Sequence, residues 1–223
     1  MARHHRRRER PAPNLKRRRS QREPKRRFLL YCEGKNTEPA YFEAIKSTCA
    51  STLIAVEVTP GVGVPYTIAK RAVQRARAEG LVRGSRRSRD SFEENDQVWA
   101  VFDRDEHPRF DEAIALCDRH GVLVGRSNPC FELWLILHER DHDRFEHRDE
   151  MQAILERLRP EYDKDGGKTP DCDELVSRVQ DAERRADVLL RRRRESGDPY
   201  GNPSTTVSRL TREIREADES ARR

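Results

Sequence analysis

The order of apolar runs along the chain predicts an α/β fold built on a parallel sheet. Short apolar runs bounded by turn residues alternate with longer segments of helical spacing. Acidic residues directly follow two of the short runs, and past about residue 140 only charged helical segments continue. Because strands that alternate with helices imply parallel pairing and right-handed crossovers, we expect helices on the faces of the sheet.

The first two strands and their helices are predicted within residues 27–79. Arg27–Cys32 is an apolar run followed by turn residues, which is typical of a buried strand. Thr37 caps the next helix, and Glu38 stands in its first turn, where an acid is favoured. A second strand is predicted at Leu53–Val58 and a second helix at Pro65–Glu79.

The second half of the α/β pattern begins after a polar surface loop predicted at residues 82–96. Gln97–Phe102 is the clearest central strand, and it runs directly into an acidic stretch. A helix at Pro108–His120, a strand at Val122–Gly125 and an unusually apolar helix at Cys130–His138 follow. These elements complete a predicted α/β domain over residues 28–140.

Residues 141–223 are predicted to form a helical cap or extension of that domain. Each of its helices is bounded by proline, glycine or capping residues, and we place them at Arg148–Arg159, Asp171–Glu195 and Ser204 to about Ala217.

The basic charge of the chain is concentrated in an N-terminal arm, residues 1–27. This arm holds 13 Lys or Arg and 2 Asp or Glu, whereas the remainder has a net charge of −5. An arm of this composition cannot fold alone and suits contact with phosphates, so nucleic acid is the expected partner. A leader that only increases solubility is the alternative.

Cysteine use and hydropathy predict a reduced, cytoplasmic protein. The five cysteines are odd in number and scattered, with no C-x-x-C pair. No apolar stretch approaches the roughly 20 residues of a membrane span, so no membrane contact is expected. The sequence leaves the oligomeric state open.

Three acidic residues form the strongest candidate site. Asp103 and Asp105 are two apart at the end of a strand and so share one face, while Glu33 ends the first strand. If those strands are neighbours, the three carboxylates meet and suit Mg²⁺, or Mn²⁺, for cleavage of a phosphodiester. A D-x-D pair alone is most often a solvated turn.

Sequence motifs around these acids resemble a known family. FLLYCEGKNTEPAYF and VWAVFDRDEH are similar to the glutamate and D-x-D motifs of TOPRIM domains. Together with SNPCFELWLILH and YGNPSTTV, they resemble the RloB family of bacterial defence loci. The resemblance implies a TOPRIM-like Rossmannoid nuclease fold with catalytic Glu33, metal-binding Asp103 and Asp105, and a partner AAA-type ATPase. Position 107 departs from the fuller D-x-D-x-[DE] motif, since it holds His107.

Five further residues are candidates for supporting roles. Lys35 and Lys168 could contact phosphate, although lone lysines are usually solvated. Glu132 lies on an otherwise apolar helix, where an acid is costly unless it is paired or metal-bound. Asn128 is more typical of a helix cap than of a ligand contact, and Glu38 of a helix-start acid than of a base.

Other chemistries find little support in the sequence. His138, His142 and His147 have a spacing that zinc sites use, but Asp141 and Asp143 between them indicate a loop. The absence of a P-loop motif argues against ATP hydrolysis by this chain.

The sequence therefore favours two functions. The first is a Mg²⁺-dependent nuclease that acts on DNA or on RNA such as tRNA, as an anti-phage effector controlled by the ATPase. The second is an inactive nucleic-acid-binding or regulatory subunit of that ATPase. A topoisomerase-type transferase is a third class, but it needs a nucleophilic tyrosine domain that this sequence does not indicate.

Overall fold

A five-stranded sheet organises the computed structural model, which describes residues 26–61, 63–83, 96–104, 107–167 and 169–223. The strand order is β2-β1-β3-β4-β5. The strands are β1 Arg26–Cys32, β2 Ile54–Thr59, β3 Gln97–Asp103, β4 Leu123–Asn128 and β5 Ser204–Thr205. The first four pair in parallel, and β5 pairs antiparallel with β4. The predicted α/β class with a mostly parallel sheet is confirmed.

Eight helices lie within the described residues. They are α1 Thr37–Thr48, α2 Pro65–Ala78, α3 Phe110–His120, α4 Glu132–Glu139, α5 Arg148–Leu158, α6 Cys172–Val176, α7 Val179–Glu195 and α8 Val207–Ala221. No helix in this part of the chain is both long enough and apolar enough to cross a bilayer.

The alternation of β1 divides the core between the two faces of the sheet. Phe28 and Leu30 point to the larger apolar cluster, which also contains residues of α1, α4, α7 and α8. Leu29 points to the opposite cluster, which α2 and α3 cover. Successive strand residues face opposite sides, so this strand, which is buried on both faces from Phe28 to Leu30, is apolar there at every position.

The prediction of a single helix at Asp171–Glu195 is wrong, because this segment forms two helices. Arg178 leaves the helical region, with φ −109° and ψ 17°, and separates α6 from α7. The break lets α6 pack against α1 while α7 packs against α4 and α8. Both helices bury apolar residues in the same core cluster.

The predicted start of the last helix at Ser204 is also wrong. Ser204 and Thr205 form β5, opposite Asn128 and Ser127 of β4, and the helix begins only at Val207. Sheet hydrogen bonding thus holds two residues that carry a helix-start signature. The division into an arm, an α/β domain and a helical extension stays a prediction, although β5, α7 and α8 contribute to the sheet and its core.

Most of the loop predicted at residues 82–96 lies outside the described residues, as does nearly all of the arm. The other predicted elements agree with the structure within a few residues. Among them, α4 begins at Glu132 rather than at Cys130, and β4 continues to Asn128.

Candidate functional site

The central pair β1 and β3 brings two acidic strand ends together. Cys32 is in register with Val101, so β1 and β3 end at the same edge of the sheet. The Glu33 amide donates a hydrogen bond to the Val101 carbonyl at 2.9 Å, which prolongs the pairing by one residue. The carboxyl ends of parallel strands form the crevice of an α/β sheet, and these two acids stand in it.

Glu33 and Asp103 are in direct contact there. The Asp103 amide donates to Glu33 Oε2 at 3.1 Å, and His107 Nε2 lies 3.3 Å from Glu33 Oε1. The structure therefore brings together two predicted site residues that are 70 positions apart in the sequence. It also places His107, the departure from the fuller motif, against the predicted catalytic glutamate.

Two of the predicted site residues lie outside the described part of the chain. These are Asp105, the second acid of the D-x-D pair, and Lys168. Their proposed roles stay predictions.

Glu38 reaches the same edge from the first turn of α1. It is 6% exposed, and its Oε1 accepts a hydrogen bond from the Gly34 amide at 3.0 Å. A Cβ added at Gly34 would lie 1.9 Å from Glu38 Oε2, so glycine there permits the close approach. The carboxylate thus bends back towards the strand end instead of extending into solvent.

Glu132 enters the cluster from the first turn of α4. It is buried, and its Oε1 accepts hydrogen bonds from the Tyr162 hydroxyl at 2.7 Å and the Gln152 amide at 3.4 Å. A buried acid on an apolar helix is costly unless its carboxylate has a partner, and Tyr162 and Gln152 supply hydrogen bonds to Glu132. Tyr162 and Gln152 were missed from the sequence, because neither stands in a motif that marks it.

A cavity of about 190 Å³ is lined by Glu33, Glu38, Asp103 and Glu132, together with a fifth acid, Asp163. Cationic side chains of Lys35, Arg148 and Lys164 line it too.

Asn128 does not cap α4, whose N-cap is Phe131. Its side-chain amide donates a hydrogen bond to the Tyr200 carbonyl at 3.0 Å. Asn128 also lines a neighbouring groove with Arg104 and Arg148.

Burial and mutual repulsion disfavour the ionised forms of two of these acids. Burial raises the pKa of Glu38 to about 7, with Glu132 and Glu33 adding to the shift against opposing backbone hydrogen bonds. Burial also raises the pKa of Asp103 well above its usual range, and the surrounding acids act in the same direction. Carboxylates gathered in this way repel one another unless a cation lies between them.

The donor set fits a hard divalent cation. Carboxylate oxygens are the ligands that Mg²⁺ and Mn²⁺ prefer, and a cation would offset the burial and the repulsion that raise these pKa values. Within the described ranges no group of three or more His, Cys, Asp or Glu already stands in metal-holding geometry. Glu33, Asp103, Glu38 and Glu132 are the described residues that would hold the ion after side-chain adjustment.

His138, the first of the three histidines whose spacing resembles a zinc site, has a structural role in the core. His138 is buried, donates from Nδ1 to the Trp134 carbonyl at 2.9 Å and accepts at Nε2 from the Tyr41 hydroxyl at 3.0 Å. Both ring nitrogens are therefore engaged in the core and are not directed at the other two histidines of the series.

Comparison with known proteins identifies one family. No curated protein and no solved structure matches the chain. The family described as RloB-like protein matches residues 28–214, which include all but the first two residues of the sheet strands, helices α1 to α7 and the first half of α8. The chain therefore belongs to the RloB-like protein family.

Proposed function

We propose that this chain is a Mg²⁺-dependent nuclease that hydrolyses phosphodiester bonds of DNA or RNA. One observation carries the proposal: acids from four separate places in the sequence line one cavity at the carboxyl edge of the sheet. Its centre is the contact between Glu33 and Asp103. Burial and the neighbouring acids raise the pKa values of Glu38 and Asp103, so a bound cation would stabilise their ionised forms. The cluster therefore supports a cation-binding function.

The chain's own residues would divide the work between ion and substrate. When bound, Mg²⁺ supplies an activated water and stabilises the charge on the leaving oxygen. Glu33 and Asp103 would hold the ion, with Asp105 as a further ligand. Tyr162 and Gln152 would fix the Glu132 carboxylate by hydrogen bonds.

Substrate binding at this cavity requires positive charge close to the acids. Lys35 and Lys164 are exposed at its rim and can contact the non-bridging oxygens of a phosphodiester. Arg148 lines both this cavity and the neighbouring groove, so it can contact phosphate on either side. Lys168 is a further candidate from the sequence.

The biological setting is proposed from the family resemblance. In that setting the nuclease is an effector of anti-phage defence, and a partner AAA-type ATPase controls it. DNA and RNA, tRNA among them, are both candidate substrates. An inactive nucleic-acid-binding or regulatory subunit is the second candidate, and the strongly basic residues 1–27 favour it because they suit binding without cleavage.

Cleavage assays separate the two candidates. The full chain, with and without the co-purified ATPase, is incubated with labelled DNA and RNA in Mg²⁺, Mn²⁺ or EDTA. We expect cleavage with metal only, and a loss of at least about 100-fold in Asp103→Ala and Glu33→Gln. Asp111→Ala removes an exposed acid at the start of α3 and should cleave like the wild type. Equal products from Asp103→Ala and the wild type would refute the nuclease proposal.

A further inference from the structure

A second, larger cavity lies between α3, β4 and the start of α8. Its volume is about 650 Å³, and it shares no lining residue with the acidic cavity. Three arginines from separate parts of the chain line it: Arg83 after α2, Arg126 on β4 and Arg209 in the first turn of α8. Asp118 is the acid in the lining, so the cavity carries an excess of positive charge.

Arg126 is the most informative of the three. Its guanidinium carbon lies 3.1 Å from the centroid of the Tyr200 ring. Burial lowers its pKa and Arg209 acts in the same direction, against the opposing effects of Tyr200 and Asp118. Among the ion pairs of the described residues, none involves Arg126, Arg83 or Arg209.

An anion would stabilise this arrangement, because Asp118 is one acid among three arginines. A partly buried cation normally has a carboxylate partner, and two like charges facing one cavity repel each other. Elsewhere in this chain, two arginines with little exposure have such partners: the buried Arg159 pairs with Glu139 and Glu174, and the partly buried Arg215 with Glu183. The planar guanidinium groups of Arg126 and Arg209 suit the oxygens of a phosphate.

Tyr200 connects this cavity to the candidate site. While its ring stacks on Arg126, its carbonyl accepts hydrogen bonds from Asn128 at 3.0 Å and from Arg104 at 3.5 Å. Arg104 directly follows Asp103, and Asp103 is in register with Ser127, the neighbour of Arg126. Tyr200 therefore links Arg126 of the arginine cavity to Arg104, the residue that follows Asp103 of the acidic cavity.

We propose that the cavity lined by Arg83, Arg126 and Arg209 binds a phosphate group, supplied by the nucleic-acid strand that is cut at the acidic cavity. The assignment to a nucleic-acid strand rests on the proposed function. A free nucleotide carries the same phosphate chemistry, and the experiment separates the two sources.

Binding measurements in EDTA test the site without any cleavage. A tetranucleotide, a 5′-mononucleotide and inorganic phosphate are titrated into the full chain by calorimetry at several salt concentrations. We expect Arg209→Gln and Arg126→Gln to bind the tetranucleotide about tenfold more weakly, with a salt slope lower by about one. Arg191→Gln removes the same charge from the exposed surface of α7 and should bind within about twofold of the wild type.

The outcomes distinguish the site, its ligand and the nuclease proposal. Arg209 is exposed, so Arg209→Gln keeps the fold even if Arg126→Gln does not, and thermal unfolding checks both variants. An equal loss for the mononucleotide or phosphate supports the phosphate site but overturns its assignment to a strand. If both variants bind all three probes like Arg191→Gln, the site is refuted even where cleavage occurs. Conversely, if the chain never cleaves nucleic acid but the variants show the expected losses of binding, the phosphate site is supported and the nuclease proposal is refuted.

Discussion

Glu38 illustrates how the candidate site lowers stability at the scale of single residues. The rise of its pKa from 4.5 to about 7 means that ionising it costs the folded chain about 3 kcal/mol. Total stabilities are only about 5–15 kcal/mol, so this is a substantial fraction. Ionisation of this buried acid, which lines the same cavity as Asp103, therefore lowers the stability of the folded chain.

The buried His138 makes stability depend on pH in a defined direction. Burial lowers its pKa from 6.5 to about 4, so the folded chain holds it neutral while the unfolded chain takes up a proton below about pH 6.5. Stability is therefore full above that pH and falls as the pH drops towards 4. We expect His138 to account for a loss of about 2 kcal/mol between pH 7.5 and pH 5.

Urea unfolding of the wild type and of His138→Gln at both pH values measures this contribution. The variant lacks the titrating ring and should lose about 2 kcal/mol less than the wild type over the interval, although it is less stable at pH 7.5. His142, whose pKa is also lowered by burial, contributes equally to both proteins and cancels. An identical pH dependence in the two would contradict the assignment.

At the residue scale, the sequence could predict the acids but not their supports. Glu33 and Asp103 follow apolar runs, so their meeting at one edge follows once β1 and β3 are neighbours. Tyr162 and Gln152 reach Glu132 from 30 and 20 positions away, on segments without a motif. Their role depends on how α5 and the chain after it pack on α4, which local patterns do not specify.

At the scale of elements, the strands that could be predicted are those with long apolar runs. β1 and β3 are seven residues each; most of their residues are buried, and none is exposed. β5 has two polar residues, Ser204 and Thr205, and exists only because β4 lies opposite them. A strand defined by a long-range pairing has no local signature, so it was predicted as the start of a helix.

The buried hydroxyl of Thr205 contributes to the join between β4, β5 and α8. Thr205 is fully buried; its Oγ1 lies 3.1 Å from Ser127 Oγ and accepts from the Val207 amide at 3.3 Å. Thr205→Val keeps the shape but leaves these groups unpaired, so we expect a loss of about 1–3 kcal/mol in the free energy of unfolding.

Chemical denaturation measures that loss against a matched variant. Thr59→Val makes the same change at the exposed end of β2 and should stay within about 0.5 kcal/mol of the wild type. If Thr205→Val were as stable as Thr59→Val, the hydroxyl would not hold β5 in place.

At the scale of the whole molecule, opposite charges are separated along the chain. Residues 28–223 have a net charge of −5, yet the cavities described above present arginine and lysine locally. Two of the 13 basic residues in the predicted arm belong to the fold: Arg26 pairs with Glu213 and Arg27 with Asp96. The other 11 basic residues of the predicted arm lie within residues 1–25.

Deleting residues 1–25 tests whether that segment binds phosphates. The deletion removes 11 basic and 2 acidic residues and retains all of β1. We expect weaker binding to duplex and single-stranded nucleic acid, and a smaller dependence of affinity on salt, because fewer counterions are released. Fluorescence anisotropy from about 50 to 200 mM salt measures both. An unchanged affinity and slope would show that the segment does not contact nucleic acid.

The central claim is that Glu33 and Asp103, which are distant in sequence, hold one divalent ion together. Mn²⁺ binding to the full chain, measured by the electron paramagnetic resonance of the free ion, tests this directly. We predict that Glu33→Gln and Asp103→Asn each weaken the same binding event by about tenfold or more, while Asp111→Asn leaves it unchanged. Wild-type affinity in either Glu33→Gln or Asp103→Asn would contradict a shared metal site.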